Sequence, residues 1–91
     1  MKILTVCGMG IGTSVLLKMT TEKALAALGL DADVEAADIG VARGMARSAQ
    51  IVLTSADLAE ELGADLADKV IVISNFTSVP EISGKLAAAF A

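Results

Sequence analysis

The chain has 91 residues, 55% of them apolar, a net charge of −4, two Phe, no Trp or Tyr, one Cys and no His. That length suits one folded domain with one aliphatic core, which excludes a disordered chain and a two-lobed enzyme. Lys2, Lys18, Lys23, Arg43, Arg47, Lys69 and Lys85 are scattered without a basic run, so no nucleic-acid groove is expected.

The chain begins with a short apolar run, Ile3 to Val6, that ends at Cys7. It has no signal-peptide layout, because Gly8-Met9-Gly10-Ile11-Gly12 follows at once. Thr13 or Ser14 then opens a helix to about Leu28, with Leu17, Thr21, Ala24, Leu25 and Leu28 on one face and Gly29 as its stop. Asp33 to Asp38 is a weak strand, with Val34 and Ala36 between acidic residues. Ala42 to Ala49 has the composition of a short helix, weakened by Gly40 and Gly44, and Ile51 to Thr54 is a short strand. Ala56 to about Leu66 is helical unless Gly63 ends it early. Val70 to Ile73 is an apolar run that suits a strand buried on both faces. Ser78-Val79-Pro80-Glu81 matches a capping box for a last helix, with Ile82, Leu86 and Phe90 recurring every four residues.

The alternation predicts an α/β fold, a single domain over 1–91. Its four parallel strands are expected near residues 2–7, 33–38, 51–54 and 69–74, in spatial order 2-1-3-4, with helices on both faces. No apolar stretch approaches the roughly 20 residues of a spanning helix. Cytoplasmic residence, without direct membrane insertion, is the expectation.

Ligands bind open parallel sheets at the carboxyl ends of the strands, and Cys7 lies at that edge. The Gly-rich link after it leaves the backbone free to turn its N–H groups inward. The next helix adds unpaired N–H groups and the positive end of its dipole. Cys7 is therefore the candidate nucleophile, and Gly8, Met9, Gly10, Ile11, Gly12, Thr13 and Ser14 are the candidate phosphate cradle. The thiolate is the reactive form of a cysteine. The competing reading is a buried apolar Cys beside a packing turn. The adjacency of thiol and cradle speaks against it, because neither needs the other structurally.

The absence of His excludes a phosphohistidine carrier, a Ser-His hydrolase and a Cys-His protease. A single Cys excludes an internal disulfide and argues against structural zinc; no metal and no cofactor are expected. Gly12-Thr13 lacks the Gly-Lys-Ser/Thr end of a Walker loop, and Gly8, Gly10 and Gly12 miss the dinucleotide spacing. Cys7 to Ser14 does match the Cys-x5-Arg-Ser/Thr spacing of tyrosine phosphatases, but Thr13 stands where the phosphate-clamping Arg belongs. No Asp-Pro pair supplies an acid loop.

The run Ile-Leu-Thr-Val-Cys-Gly-Met-Gly-Ile-Gly-Thr-Ser, followed by Leu16, Leu17, Lys18 and Met19, resembles the start of phosphotransferase-system (PTS) IIB subunits of the ascorbate-like branch. The lactose/cellobiose and galactitol branches are more distant relatives. The resemblance implies a low-molecular-weight tyrosine phosphatase-like fold. It implies that Cys7 accepts a phosphoryl group from a phosphohistidine on a IIA protein. It implies delivery to a sugar, of ascorbate or pentitol/hexitol type, held by a membrane-embedded IIC protein, with peripheral association at the inner membrane. The alternatives are a small Cys-dependent phosphatase or arsenate-reductase-like enzyme, and a IIB-like regulatory domain.

Other residues carry weaker signals. Ser14 and Thr13 suit hydrogen bonds to sulfur or phosphate, or helix capping. Thr54, Ser55 and Asn75 to Ser78 lie at the same sheet edge, with Ser78 read as a cap. Met9 and Ile11 are open between partner contact and packing back. Asp31, Asp33, Glu35 and Asp38 read as a solvated strand face, and Arg43 and Arg47 as surface charge.

Overall fold

The computed structural model describes the backbone of residues 1–8 and 11–90, and the side chains of these apart from residues 11–14 and 90. The elements run β1 (Lys2–Cys7), α1 (Ile11–Leu28), β2 (Asp33–Asp38), α2 (Ile39–Ala46), β3 (Ile51–Thr54), α3 (Ala56–Leu62), a 3-10 helix (Ala64–Lys69), β4 (Val70–Val72) and α4 (Val79–Phe90). All pairings are parallel, and the sheet order is β2-β1-β3-β4. The expected topology is the observed one.

Two apolar layers sandwich the sheet. Ile3, Val34, Ile51 and Leu53 face α1 and α4, where Leu17, Leu25, Ile82 and Leu86 complete one core. Leu4, Val6, Ala37 and Val52 face the other way, onto Ala42, Ala46, Leu58 and Leu62 of α2 and α3. Strand alternation produces this split. It also places Cys7, two residues beyond Thr5 and four beyond Ile3, on the α1 side.

The helix boundaries differ from expectation for local reasons. Helix α1 begins at Ile11 rather than Thr13 or Ser14, so the Gly-rich connection is shorter than its composition suggests. Its far end is as read: Gly29 adopts φ 70°. The Leu30 N–H there reaches back to the Leu25 carbonyl at 3.0 Å, closing the helix with a six-residue ring. Helix α2 begins at Ile39, three residues before the expected Ala42. The cause is Asp38, whose carboxylate accepts from the Val41 N–H at 3.2 Å and caps the helix directly off the strand. Gly63 ends α3 after Leu62, at φ 95° and ψ 161°.

Strand β4 departs most. It covers Val70–Val72 instead of 69–74, and it is an edge strand rather than one buried on both faces. Val72 is 37% exposed, and Val70 and Ile71 are half-buried. The preceding residues wind into the 3-10 helix, and Lys69 anchors its end by donating to the carbonyls of Ala46 and Ala49 at 3.1 and 2.9 Å. Ile73 lies beyond the strand yet is fully packed against Ile82 and Leu86.

The two positive-φ glycines give a graded test. A side chain at Gly29 meets open space, whereas a Cβ at Gly63 would lie 2.8 Å from Asp65 Oδ1. Gly29→Ala should cost about 1–2 kcal/mol, the left-handed penalty alone. Gly63→Ala should cost more, about 2–3 kcal/mol, because its φ/ψ region is open to glycine almost exclusively. Urea denaturation of the two variants checks the ranking.

Candidate functional site

Cys7 closes β1 at the carboxyl edge of the sheet, opposite Asp38 of β2, and is 2% exposed. The chain bends at Gly8, where a Cβ would sit 3.3 Å from Leu58 Cδ2 of α3. A Cβ there would require the Leu58 side chain to give by a few tenths of an ångström, so Gly8 lies close against α3. The chain re-enters regular structure at Ile11. The N–H groups of a helix's first turn have no intrahelical acceptor, and here they belong to Ile11, Gly12, Thr13 and Ser14. No acidic residue stands in that turn to neutralise the positive helix end.

Of the residues expected to form the cradle, the fold therefore brings Cys7, Gly8 and the backbone of 11–14 to one sheet edge. Met9 and Gly10 lie outside the described residues, as do the side chains of Ile11, Thr13 and Ser14.

Two further connections end at this edge. After β3, the buried Thr54 hydroxyl donates to the Val6 carbonyl at 3.1 Å. Ser55 occupies the cap position of α3 but makes no side-chain cap bond; its hydroxyl donates to Asp57 at 2.7 Å. That bond holds the Asp57 carboxyl below its ordinary range.

After β4, Ser78 caps α4 by accepting from the Glu81 N–H at 3.2 Å. The reciprocal half of the capping box is absent. Glu81 instead reaches past Ser78 to accept from the N–H groups of Ser74 and Asn75 at 2.7 and 3.0 Å. The Ser78 N–H is bonded to the Asn75 carbonyl at 3.1 Å, which leaves Glu81 for the upstream amides. The Asn75 side chain accepts from the Thr77 N–H and hydroxyl at 3.0 and 2.7 Å. The polar groups of this segment thus brace the segment itself.

Some surface readings resolve simply. Glu35 pairs with Lys2 at 3.3 Å, Asp38 caps α2, and Arg43 stands 3.8 Å from Asp65. A hollow of about 170 Å³ lined by Met1, Asp31, Ala32 and Asp33 lies at the opposite edge, where β1 and β2 begin. It lies at the end of the sheet away from Cys7, so chemistry and not concavity identifies the site.

Two features escaped the sequence reading. Thr54 is visible in the sequence as a residue of the sheet edge, and nothing local shows that its hydroxyl crosses to β1. Val15, Leu16 and Met19, 38–51% exposed, form an outward apolar face on the first turns of α1. That signal was available: these positions lie opposite Leu17 and Leu25 once the inward stripe is assigned.

This fold is an open parallel sheet of four strands with a cysteine at the end of its central β1, the low-molecular-weight tyrosine phosphatase-like arrangement. Two solved structures share it. One is the lactose-specific IIB component domain of the PTS from Streptococcus pneumoniae, with TM-score 0.74, 12% identity, and 100% of this chain and 98% of that one covered. The other is a YwlE mutant from Bacillus subtilis, with TM-score 0.64, 14% identity, and coverage of 97% and 90%. At such identities they show the fold alone. Sequence settles the family: residues 2–88 match the PTS system lactose/cellobiose-specific IIB subunit family, and the chain belongs to it. Similar curated relatives are named ascorbate-specific PTS EIIB components. The one from Mycoplasma pneumoniae is 37% identical over 84 residues, spanning 92% of this chain and 88% of that protein. The one from Salmonella typhimurium is 28% identical over 85 residues, spanning 93% and 84%.

The Glu81 network carries a pH signature. The Lys85 ammonium at 2.8 Å and the Ser74 and Asn75 amides hold the Glu81 carboxyl down to about 2 from an ordinary 4.5. A depressed carboxylate stabilises the fold above its unfolded pKa and loses that contribution as pH falls toward the folded value. Glu81→Gln should therefore be less stable than wild type above pH 4.5, with the difference closing between pH 4.5 and about 2. Denaturation midpoints measured across that range test this; a difference independent of pH would contradict it.

Proposed function

We propose that this IIB chain carries a phosphoryl group on Cys7 between a IIA protein and a sugar held by a membrane IIC protein. The observation that supports it most is the placement of Cys7 at the end of the central strand, facing the side on which the positive end of α1 begins. Phosphotransfer is the general activity of the IIB family. The names of the curated relatives make an ascorbate-type substrate the first to test.

The mechanism follows from the residues in hand. The Cys7 thiolate attacks the phosphorus of a donor phosphohistidine. The sulfur–phosphorus bond forms, the phosphorus–nitrogen bond breaks, and its electron pair stays on the imidazole. The imidazole takes up the proton that the thiol gave up. Backbone N–H groups from Gly8 to Ser14 stabilise the charge on the transferring oxygens. In the second step a sugar hydroxyl oxygen attacks the same phosphorus. The sulfur–phosphorus bond breaks, its electron pair returns to Cys7, and the hydroxyl proton balances the thiolate. No metal or cofactor enters either step. The carrier works at the inner face of the membrane, docked on IIC. Among the described residues no helix is long and apolar enough to cross a membrane, which fits delivery through a separate membrane partner.

The second reading is a Cys-dependent phosphatase, from the Cys-x5-x-Ser spacing of Cys7 to Ser14. Thr13 in place of the clamping Arg argues against it.

Incubation with a phosphorylated IIA protein, followed by mass spectrometry, should place one phosphoryl group on Cys7. Cys7→Ser should fold and accept none, because an unactivated hydroxyl is scarcely ionised at neutral pH. Label that persists in Cys7→Ser, or that sits on Ser, Thr or Asp of the wild type, would overturn the proposal. Thr13→Arg should shorten the phosphocysteine lifetime roughly tenfold, below the hundredfold scale of a fully placed donor because no acid loop assists. Loss of label from the purified phosphoprotein over time measures it.

A further inference from the structure

We propose that Thr54 is a positioning residue for Cys7, acting through the Val6 carbonyl; this rests on Cys7 being the phosphoryl carrier. The β1–β3 ladder is paired in register from Ile3↔Ile51 to Thr5↔Leu53 and goes no further. One residue beyond, the grip of β3 on β1 passes to a side chain: Thr54 Oγ donates to the Val6 carbonyl at 3.1 Å. On the other flank β2 stays in register one residue further still, to Cys7↔Asp38. The last peptide of β1 is thus held by backbone pairing on one side and by this hydroxyl on the other.

That peptide matters because it is planar. The Val6 carbonyl and the Cys7 N–H belong to one rigid unit. Fixing the oxygen fixes the plane, and with it the direction in which the Cys7 Cα–Cβ bond leaves the strand. The chain bends at the next residue, Gly8, where the strand's regular geometry ends.

The hydroxyl does this without touching the reacting sulfur. Strand alternation turns Thr54 and Val6 toward the α2/α3 layer, and Cys7 toward α1. Thr54 is fully buried, as is Val6, so water has no access to replace the bond. The Thr54 carbonyl in turn accepts from the Ile73 N–H at 2.8 Å. One residue therefore joins the ends of β1, β3 and β4, and through Ile73 it fixes where the segment braced by Glu81 departs.

In-line transfer needs the sulfur aligned with the phosphorus, and a displacement of about 1 Å is worth up to a hundredfold in rate. The test is single-turnover transfer from a radiolabelled phosphorylated IIA protein, using the full chain under conditions where each variant is folded by circular dichroism. Thr54→Val removes the donor at nearly constant size. Its transfer rate at saturating donor should fall roughly ten- to hundredfold, with the half-saturating donor concentration unchanged. Thr54→Ser, which restores the hydroxyl, should recover most of the rate. Leu86→Ala, buried in the α1/α4 core, supplies a destabilised control that should transfer at the wild-type rate per folded molecule. If Thr54→Val does not fold, Thr54→Ala takes its place with the same expectation.

Wild-type rates in the variant lacking the hydroxyl would overturn the inference. So would a Thr54→Ser variant as slow as Thr54→Val, or a Leu86→Ala variant slowed as much. In each of those cases label still absent from Cys7→Ser leaves the carrier reading intact. Label on Cys7→Ser removes that reading, and the role of Thr54 with it.

Discussion

Strand β1 is bonded along both edges and covered on both faces, and the remaining architecture follows from that position. Its side chains must satisfy two cores at once: Ile3 serves the α1/α4 layer, while Leu4 and Val6 serve the α2/α3 layer. All three are fully buried, each worth about 1.5–3 kcal/mol of transfer free energy. Parallel partners on both edges require crossover connections, and right-handed crossovers distribute the helices over both faces. The same constraint sends the carboxyl ends of the strands to one edge. A nucleophile at the end of β1 then stands at the middle of that edge, with the first crossover helix beginning beside it.

Charge works at two ranges here. The chain carries −4 overall, which repels anions at long range. At physiological ionic strength that repulsion is screened beyond about 8 Å. Inside that distance the local groups decide, and the first turn of α1 presents N–H groups with no carboxylate among them. Asp57 does stand in the first turn of α3, but its carboxylate is engaged by Ser55. Glu81, in the first turn of α4, is occupied by Lys85 and two amides. The Asp57 and Glu81 carboxylates at this edge are thus each engaged by neighbouring groups of the chain.

Element order and topology were legible because hydrophobic runs and breakers are strong signals. Gly29 and Gly63 end helices where they stand, and alternation of strand and helix implies the parallel sheet. Boundaries were less legible, because they depend on competition. Asp38 reads equally as a strand residue and as a cap; its bond to Val41 makes it both, and α2 begins three residues early. Val70 to Ile73 has the composition of a central strand. Its position at the sheet edge, and the 3-10 helix fastened by Lys69 onto α2, depend on contacts across more than 20 residues of sequence. The capping box was half right for the same reason. Ser78 acts locally, whereas Glu81 answers to amides that the tertiary fold brings within reach. At the site, Cys7 and its Gly-rich link were visible as a motif. The hydroxyl bond from Thr54 was not, because no periodicity couples a residue in β3 to a carbonyl 48 positions earlier.

A carrier has a different physical task from a hydrolase with the same sheet. On the carrier reading, the phosphoryl group must arrive at Cys7 and leave it through the same pocket, so the stabilising groups must favour neither direction. Backbone amides meet this need. They present fixed dipoles to the equatorial oxygens, which occupy similar places when the group comes from a nitrogen or goes to a hydroxyl. A carboxylic acid placed to activate water would add help specific to one exit, attack by water. Thr13 supplies no guanidinium, and no Asp-Pro pair supplies an acid loop. Selectivity for the acceptor must then come from who brings the next nucleophile into line, which is a property of docking. What this chain has to provide is a sulfur held in one orientation. A strand end gripped from both sides provides that more rigidly than any loop, since its peptide planes are fixed by neighbours that the two cores already hold in place.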